Sequence, residues 1–226
     1  MQQSLMMMSL VVALAGGAGW WFTQPSSTPT VAGQEIVLPG AANAQESTGE
    51  DVIIEEMVIG SVDAPVEVIE YASYTCPHCA TFHTEVFKEL KADYVDTGKV
   101  KFVYREVYFD RYGLWGSIIA RCGGQDRFFG ITDLLYAQQS SWSRAGSEAA
   151  IADELRKIGR IAGLENDQLE ACLSDGDKAR SLIEWYQANA EEHGITSTPS
   201  FVIDGTIHSN MSYSEFREIL DDRLGG

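Results

Sequence analysis

Two cysteines held two residues apart, at the point where a strand turns into a helix, constrain this chain more than anything else in it. The tetrapeptide Cys76-Pro77-His78-Cys79 follows the apolar run Val66-Glu67-Val68-Ile69-Glu70-Tyr71 and precedes Thr81 to Tyr94. The first segment predicts a strand and the second a helix, with Thr81, Phe82, Val86, Phe87, Leu90 and Tyr94 on its inner face. Cys76 then stands at a helix N-terminus, where unpaired backbone N–H groups and the helix dipole favour a negative sulfur. Cys79, one turn further on, can attack a mixed disulfide formed on Cys76. Pro77 suits the first helical position, because its φ is fixed and it has no N–H to lose. His78 can donate a hydrogen bond or, when protonated, add positive charge beside Cys76; the plainer reading is an exposed turn histidine. The spacing therefore points to thiol–disulfide exchange.

A C-x-x-C pair can also be half of a structural zinc site, which needs two more ligands, usually in a second close pair. Cys122 and Cys172 lie far from the motif and from each other, so they supply no such pair. His78 and His83 are ligand types, but Cys76, His78 and Cys79 are too closely spaced to reach one tetrahedral ion easily. No metal is expected.

The rest of the chain divides by composition. Leu5 to Phe22 is an almost unbroken apolar run, long for a signal-peptide core and just long enough for one membrane span. Both readings of residues 1–22 stand, a cleaved signal or a retained anchor, and both imply export. Residues 23–50 are rich in Ser, Thr, Pro, Gly and Ala and predict a flexible linker without chemistry. The folded unit is expected over 51–226. Lys99 to Arg105 alternates as a second strand, and residues of about 114–193 are helical in pattern, broken at Gly123-Gly124, Ser140 to Ser147 and Asp175-Gly176. Strand returns at Ser200–Asp204, turns at Asp204-Gly205 and pairs back through Thr206–His208. A last helix, Tyr213 to Leu224, follows the cap Ser212. With 33 acidic residues against 16 basic ones the net charge is −17, and no Lys or Arg precedes Lys88. Such a surface repels phosphate backbones, so no nucleic-acid partner is expected, and the acidity is read as serving solubility.

Asp63-Ala64-Pro65, the strand end Glu70-Tyr71-Ala72-Ser73, Cys76-Pro77-His78-Cys79 and the downstream Thr198-Pro199-Ser200-Phe201 together resemble the DsbA oxidoreductases of the alphaproteobacterial type, over about Val58 to Leu224. The resemblance implies an α/β thioredoxin fold with an inserted helical domain. It implies an enzyme that donates its Cys76–Cys79 disulfide to reduced or unfolded exported polypeptides in the periplasm. A DsbB-type membrane partner would reoxidise it; it would act as a monomer and need no cofactor beyond the redox-active disulfide. A reductase or isomerase of the same fold is the alternative, and a copper- or zinc-binding assembly factor is a second. The resemblance makes Pro199 a cis-proline, with Thr198 set against the cysteines to hold a substrate strand; a trans turn proline is the plainer reading. It puts Glu70 where the family often has a buried acid that could relay a proton to Cys79, strand parity deciding between that and a solvated carboxylate. It puts His83 where well-known members carry an acid, and Tyr74 and Thr75 beside a groove for unfolded chains or in simple packing. Some members have a second disulfide in the helical region, which Cys122 and Cys172 would form here, two buried free thiols being the other possibility.

Overall fold

The computed structural model of the chain describes residues 30–31, 34–35, 37–40 and 52–225. The apolar run of residues 5–22 lies outside them, and among the described residues no helix is long and apolar enough to cross a membrane.

Two short strands, β1 (Thr30–Val31) and β2 (Gln34–Glu35), pair antiparallel with each other. The main sheet has five strands: β3 (Met57–Ile59), β4 (Val66–Ala72), β5 (Val100–Glu106), β6 (Ser200–Ile203) and β7 (Thr206–Ser209). Their spatial order is β3-β5-β4-β6-β7, with β4 parallel to β5 and every other neighbour antiparallel. β4 is central and covered on both faces, so six of its seven residues are buried. Alternation still sorts them. Val66 and Val68 join Phe82, Phe87, Phe102, Phe201 and Phe216 in one core, whereas Ile69 and Tyr71 pack with Val103 and Val202 on the opposite face. Each such side chain contributes about 1.5–3 kcal/mol by leaving water. By the same parity Glu70 points to the face of Val66 and Val68, under the helix that carries the cysteines. The β6–β7 turn is Asp204-Gly205, with φ of 43° and 79°. Positive φ at both positions is the backbone that matches strand twist in a two-residue hairpin, and Asp204 Oδ1 fixes it by accepting from Glu67 N at 3.0 Å.

The helix after the motif runs as α1 (Pro77–Thr81), a π-helical turn (Phe82–Val86), α2 (Phe87–Leu90) and a second π turn (Lys91–Val95). Six helices make the insertion: α3 (Arg111–Cys122), α4 (Gly124–Ala137), α5 (Gln139–Trp142), α6 (Glu148–Ile161), α7 (Asn166–Ser174) and α8 (Gly176–Glu192). Its core joins Leu114, Trp115, Ile119, Phe128, Leu135, Trp142, Leu155 and Leu182. A final helix, α9 (Tyr213–Arg223), opens with a reciprocal capping box between Ser212 and Glu215.

Several local readings need correction. Thr81 is exposed, and His83 is buried in its stead, because the π turn at Phe82 rotates the helix and turns Phe82 and His83 inward together. The insertion begins at Arg111, earlier than the apolar pattern, because Asp110 caps α3 by accepting from Tyr112 N and Gly113 N. Residues 140–142, read as a break, belong to α5, and an unread break at Ala162 to Glu165 ends α6 and leaves Ile161 57% exposed. In the stretch read as a free linker, Val37–Gly40 is packed. Leu38 is buried, Val37 O accepts from Trp115 Nε1 at 3.1 Å, and Gly40 N donates to Leu173 O at 3.3 Å.

Candidate active site

β4 delivers a tight turn, Ser73 to Cys76, closed by Cys76 N donating to Ser73 O at 3.0 Å. Cys76 is the N-cap of α1 in extended conformation, with no side chain capping the helix, and Pro77 follows it. The unspent N–H groups of His78 and Cys79 are therefore free to meet the Cys76 sulfur. The insertion grips this turn at three points. Gln139 Nε2 donates to Tyr74 O at 2.9 Å and to Cys76 O at 2.8 Å. Thr75 Oγ1 donates to Asp110 Oδ2 at 2.8 Å. The Tyr74 hydroxyl bonds Thr132 Oγ1 at 2.8 Å, and Tyr74 is buried, so it packs behind the motif and lines no groove.

Cys76 and Cys79 are both thiols and both buried, Cys79 completely. Their electrostatics are opposed. The Cys79 thiol donates to the Cys76 sulfur, and with help from the Thr198 side chain and the Cys79 and His78 backbones this outweighs burial and lowers the Cys76 thiol to about 5. Cys79 is driven far up, first by burial, then because its proton is held by Cys76 and because Glu70 is close. The Thr198–Pro199 peptide is cis and sets the Thr198 backbone against the motif, where the Cys76 thiol donates to Thr198 O at 3.5 Å. The Thr198 hydroxyl is buried and has no other partner among the described residues, so it is available to a Cys76 thiolate.

Beneath the cysteines, Glu70 is wholly buried and 2.8 Å from His83 Nε2, itself buried. Burial raises the Glu70 carboxyl, and His83 opposes that rise. The His83 ring stacks on Tyr136 at 4.3 Å, and Tyr136 and Tyr104 join hydroxyls at 2.6 Å. Pro77 and His78 are exposed at the start of α1. Cys122 and Cys172 are bonded to each other, Cα atoms 6.0 Å apart, tying α3 to α7 within the insertion. Among the described residues no group of three or more His, Cys, Asp or Glu could hold a metal ion.

Sequence reasoning missed Gln139 and Asp110. Asp110 had a local signal, an acid just ahead of a helical pattern. Gln139 had none, since a glutamine in the polar run Gln138-Gln139-Ser140-Ser141 looks like surface.

A thiol pair with opposed acidities, a cis-proline strand beside it and a buried acid below define a thiol–disulfide exchange site on a thioredoxin fold. Residues 53–222 match the thioredoxin family profile Thioredoxin_4. The chain is 26% identical to Wolbachia pipientis alpha-DsbA1, whose crystal structure superposes with a TM-score of 0.71 over 77% of this chain and 94% of that one. Disulfide bond formation protein D of Bacillus subtilis is 26% identical over 190 residues, 79% of this chain and 82% of that protein. A Rickettsia bellii protein, provisionally named a protein-disulfide oxidoreductase, is 34% identical over 170 residues, 75% of this chain and 64% of that protein. The chain thus spans less than two thirds of the length of the Rickettsia relatives it matches. The chain belongs to the thioredoxin family, in its DsbA-like branch.

Proposed function

We propose that the protein is a thiol–disulfide oxidoreductase that donates its Cys76–Cys79 disulfide to reduced cysteines of exported polypeptides. The observation that carries this reading is the opposed acidity of the two sulfurs, Cys76 low at about 5 and Cys79 far above the usual thiol range. A substrate thiolate attacks Cys76 and expels the Cys79 sulfur, which takes a proton. A second substrate thiolate then attacks the substrate sulfur of the mixed disulfide and expels Cys76 as a stable thiolate. The substrate gains one disulfide and loses two electrons, which the protein holds as a Cys76 thiolate and a Cys79 thiol. Because Cys76 leaves so readily, the reduced form is favoured and the disulfide is oxidising. The relative named for disulfide bond formation supports the same direction.

In this reading Glu70 gives and takes the Cys79 proton, and the Thr198–Pro199 strand holds the substrate in extended form by backbone pairing. His78 and Pro77 shape the start of α1 around Cys76. The electrons rest on sulfur, so no cofactor is required. Residues 1–22 export the chain as a signal or an anchor, residues 23–50 connect it to the folded unit with Val37–Gly40 packed on the insertion, and residues 51–226 work in the periplasm as a monomer reoxidised by a DsbB-type membrane protein.

Equilibration of the protein with glutathione buffers tests the direction. A reduction potential near about −120 mV is expected of a donor, and one of roughly −200 mV or lower would make the protein a reductant or an isomerase instead.

A further inference from the structure

Glu70 alone is poorly suited to take a proton from Cys79. A wholly buried carboxyl without a partner stays protonated, because burial penalises its charged form, and a protonated carboxyl has no room for another proton. What changes this is His83, whose Nε2 stands 2.8 Å from Glu70 Oε2. One proton can then sit on His83 while Glu70 remains a carboxylate beside it. Two atoms of the pair are left over: Glu70 Oε1 and His83 Nδ1 are buried and have no hydrogen-bond partner among the described residues. A buried polar atom without a partner is costly, so its presence asks for a use.

Among the described residues Glu70 is the one hydrogen-bond partner of the His83 ring. β4 supplies Glu70, β5 supplies Tyr104 and α4 supplies Tyr136, with Phe82 and Phe87 packed from its own helix. Burial holds both tyrosines far above their usual range, and they are bonded to each other. The Asp133 carboxyl of α4 is raised by burial, with His83, Lys88 and Lys91 opposing the rise.

We propose that His83 is a positioning residue for the proton of Cys79: by holding the shared proton on Nε2 it keeps Glu70 a carboxylate whose Oε1 can accept from the Cys79 thiol. The inference rests on the exchange reading above and on Glu70 as the acceptor. When Cys79 resolves a mixed disulfide on Cys76, the Cys79 proton passes to Glu70, the Cys79 sulfur bonds Cys76, and the substrate sulfur leaves as a thiolate with the electron pair of the broken bond. His83 keeps its proton throughout. In donation the same steps run backward: Glu70, protonated when the Cys76–Cys79 disulfide formed, returns that proton to the expelled Cys79 sulfur and is a carboxylate again.

The test uses the full chain loaded on Cys76 with glutathione, following glutathione release by Cys79 across pH in H83Q, H83F and E70Q. His83→Gln keeps a donor to Glu70 but cannot hold the proton, and His83→Phe keeps the ring packing. Both are expected to slow release at neutral pH by about 100-fold, the usual range for loss of general-base help, and to recover at alkaline pH. Cleavage of the same mixed disulfide by added dithiothreitol in a Cys79→Ser background should not change. Release by H83Q at the wild-type rate with the wild-type pH profile overturns the proposal and leaves His83 a packing group. If H83F does not fold, H83Q decides alone. Wild-type behaviour of E70Q removes Glu70 as acceptor and the proposal with it, whereas a wild-type protein that releases no glutathione sinks the exchange reading itself.

Discussion

Cys76 and Cys79 are separated by one helical turn and behave as different functional groups. The difference comes from what each sulfur receives. Cys76 is offered the Cys79 thiol, the Thr198 side chain and two backbone N–H groups, and Cys79 is offered burial and a nearby acid. Alkylation of the reduced protein at Cys76 should therefore titrate with a midpoint of about 5 instead of the ordinary 9. Since the folded value is the depressed one, the thiolate stabilises the reduced folded chain fully above about 9, and that stabilisation fades as pH falls through about 5. Thr198→Val removes one donor and leaves the cis-proline strand in place. A hydrogen bond to a charged group is worth about 1.5–3 kcal/mol, so the midpoint should rise by about 1–2 pH units, and the reduction potential should fall with it. An unchanged midpoint would mean that Thr198 contributes only its backbone.

The elements that hold this chemistry come from two parts of the chain, and one ion pair binds them. Arg121 of α3 donates through Nε and an Nη to both oxygens of Glu106 at the end of β5, at 2.6 and 2.7 Å, with Ser117 adding a third bond at 2.9 Å. Both charged residues are buried. Removing one partner strands the other charge away from water, so Arg121→Leu should destabilise the fold by about 3–5 kcal/mol in urea unfolding, and pairing it with Glu106→Leu should restore most of the loss. A single variant as stable as wild type would show that water reaches Glu106. Little of this could be read in advance. The strand Val66–Tyr71 and the motif after it were legible because alternation, Pro77 and the cysteine spacing are all local signals. The π turn that buries His83, and the partners of Arg121 and Gln139, depend on which helix lands against the sheet. Those contacts join residues 15 to 66 positions apart, for which periodicity carries no signal.

On the scale of the molecule, the insertion acts as a brace for the catalytic turn, and α3 is its main member. The N-terminus of α3 is fixed to Thr75 through Asp110, its middle to β5 through Ser117, and its last turn to β5 through Arg121 and to α7 through the Cys122–Cys172 disulfide. The packed segment Val37–Gly40 reaches the same two helices, meeting Trp115 on α3 and Leu173 on α7. A Cβ on Gly40 would stand 3.1 Å from the Leu173 backbone, so a side chain there would push α7 back by a few tenths of an ångström. Disulfide and strap therefore close the same α3–α7 seam. The disulfide spans 50 residues, and in the chain-entropy model a loop of that length is worth about 4 kcal/mol. The variant Cys122→Ser/Cys172→Ser should lose about that much global stability, and the Gly40 amide should exchange with solvent faster than the loss of global stability alone explains. Global loss with Gly40 exchange tracking it would mean that the strap follows the whole fold and not the seam. Protection of Gly40 that survives intact would show that its bond to Leu173 O on α7 holds without the disulfide.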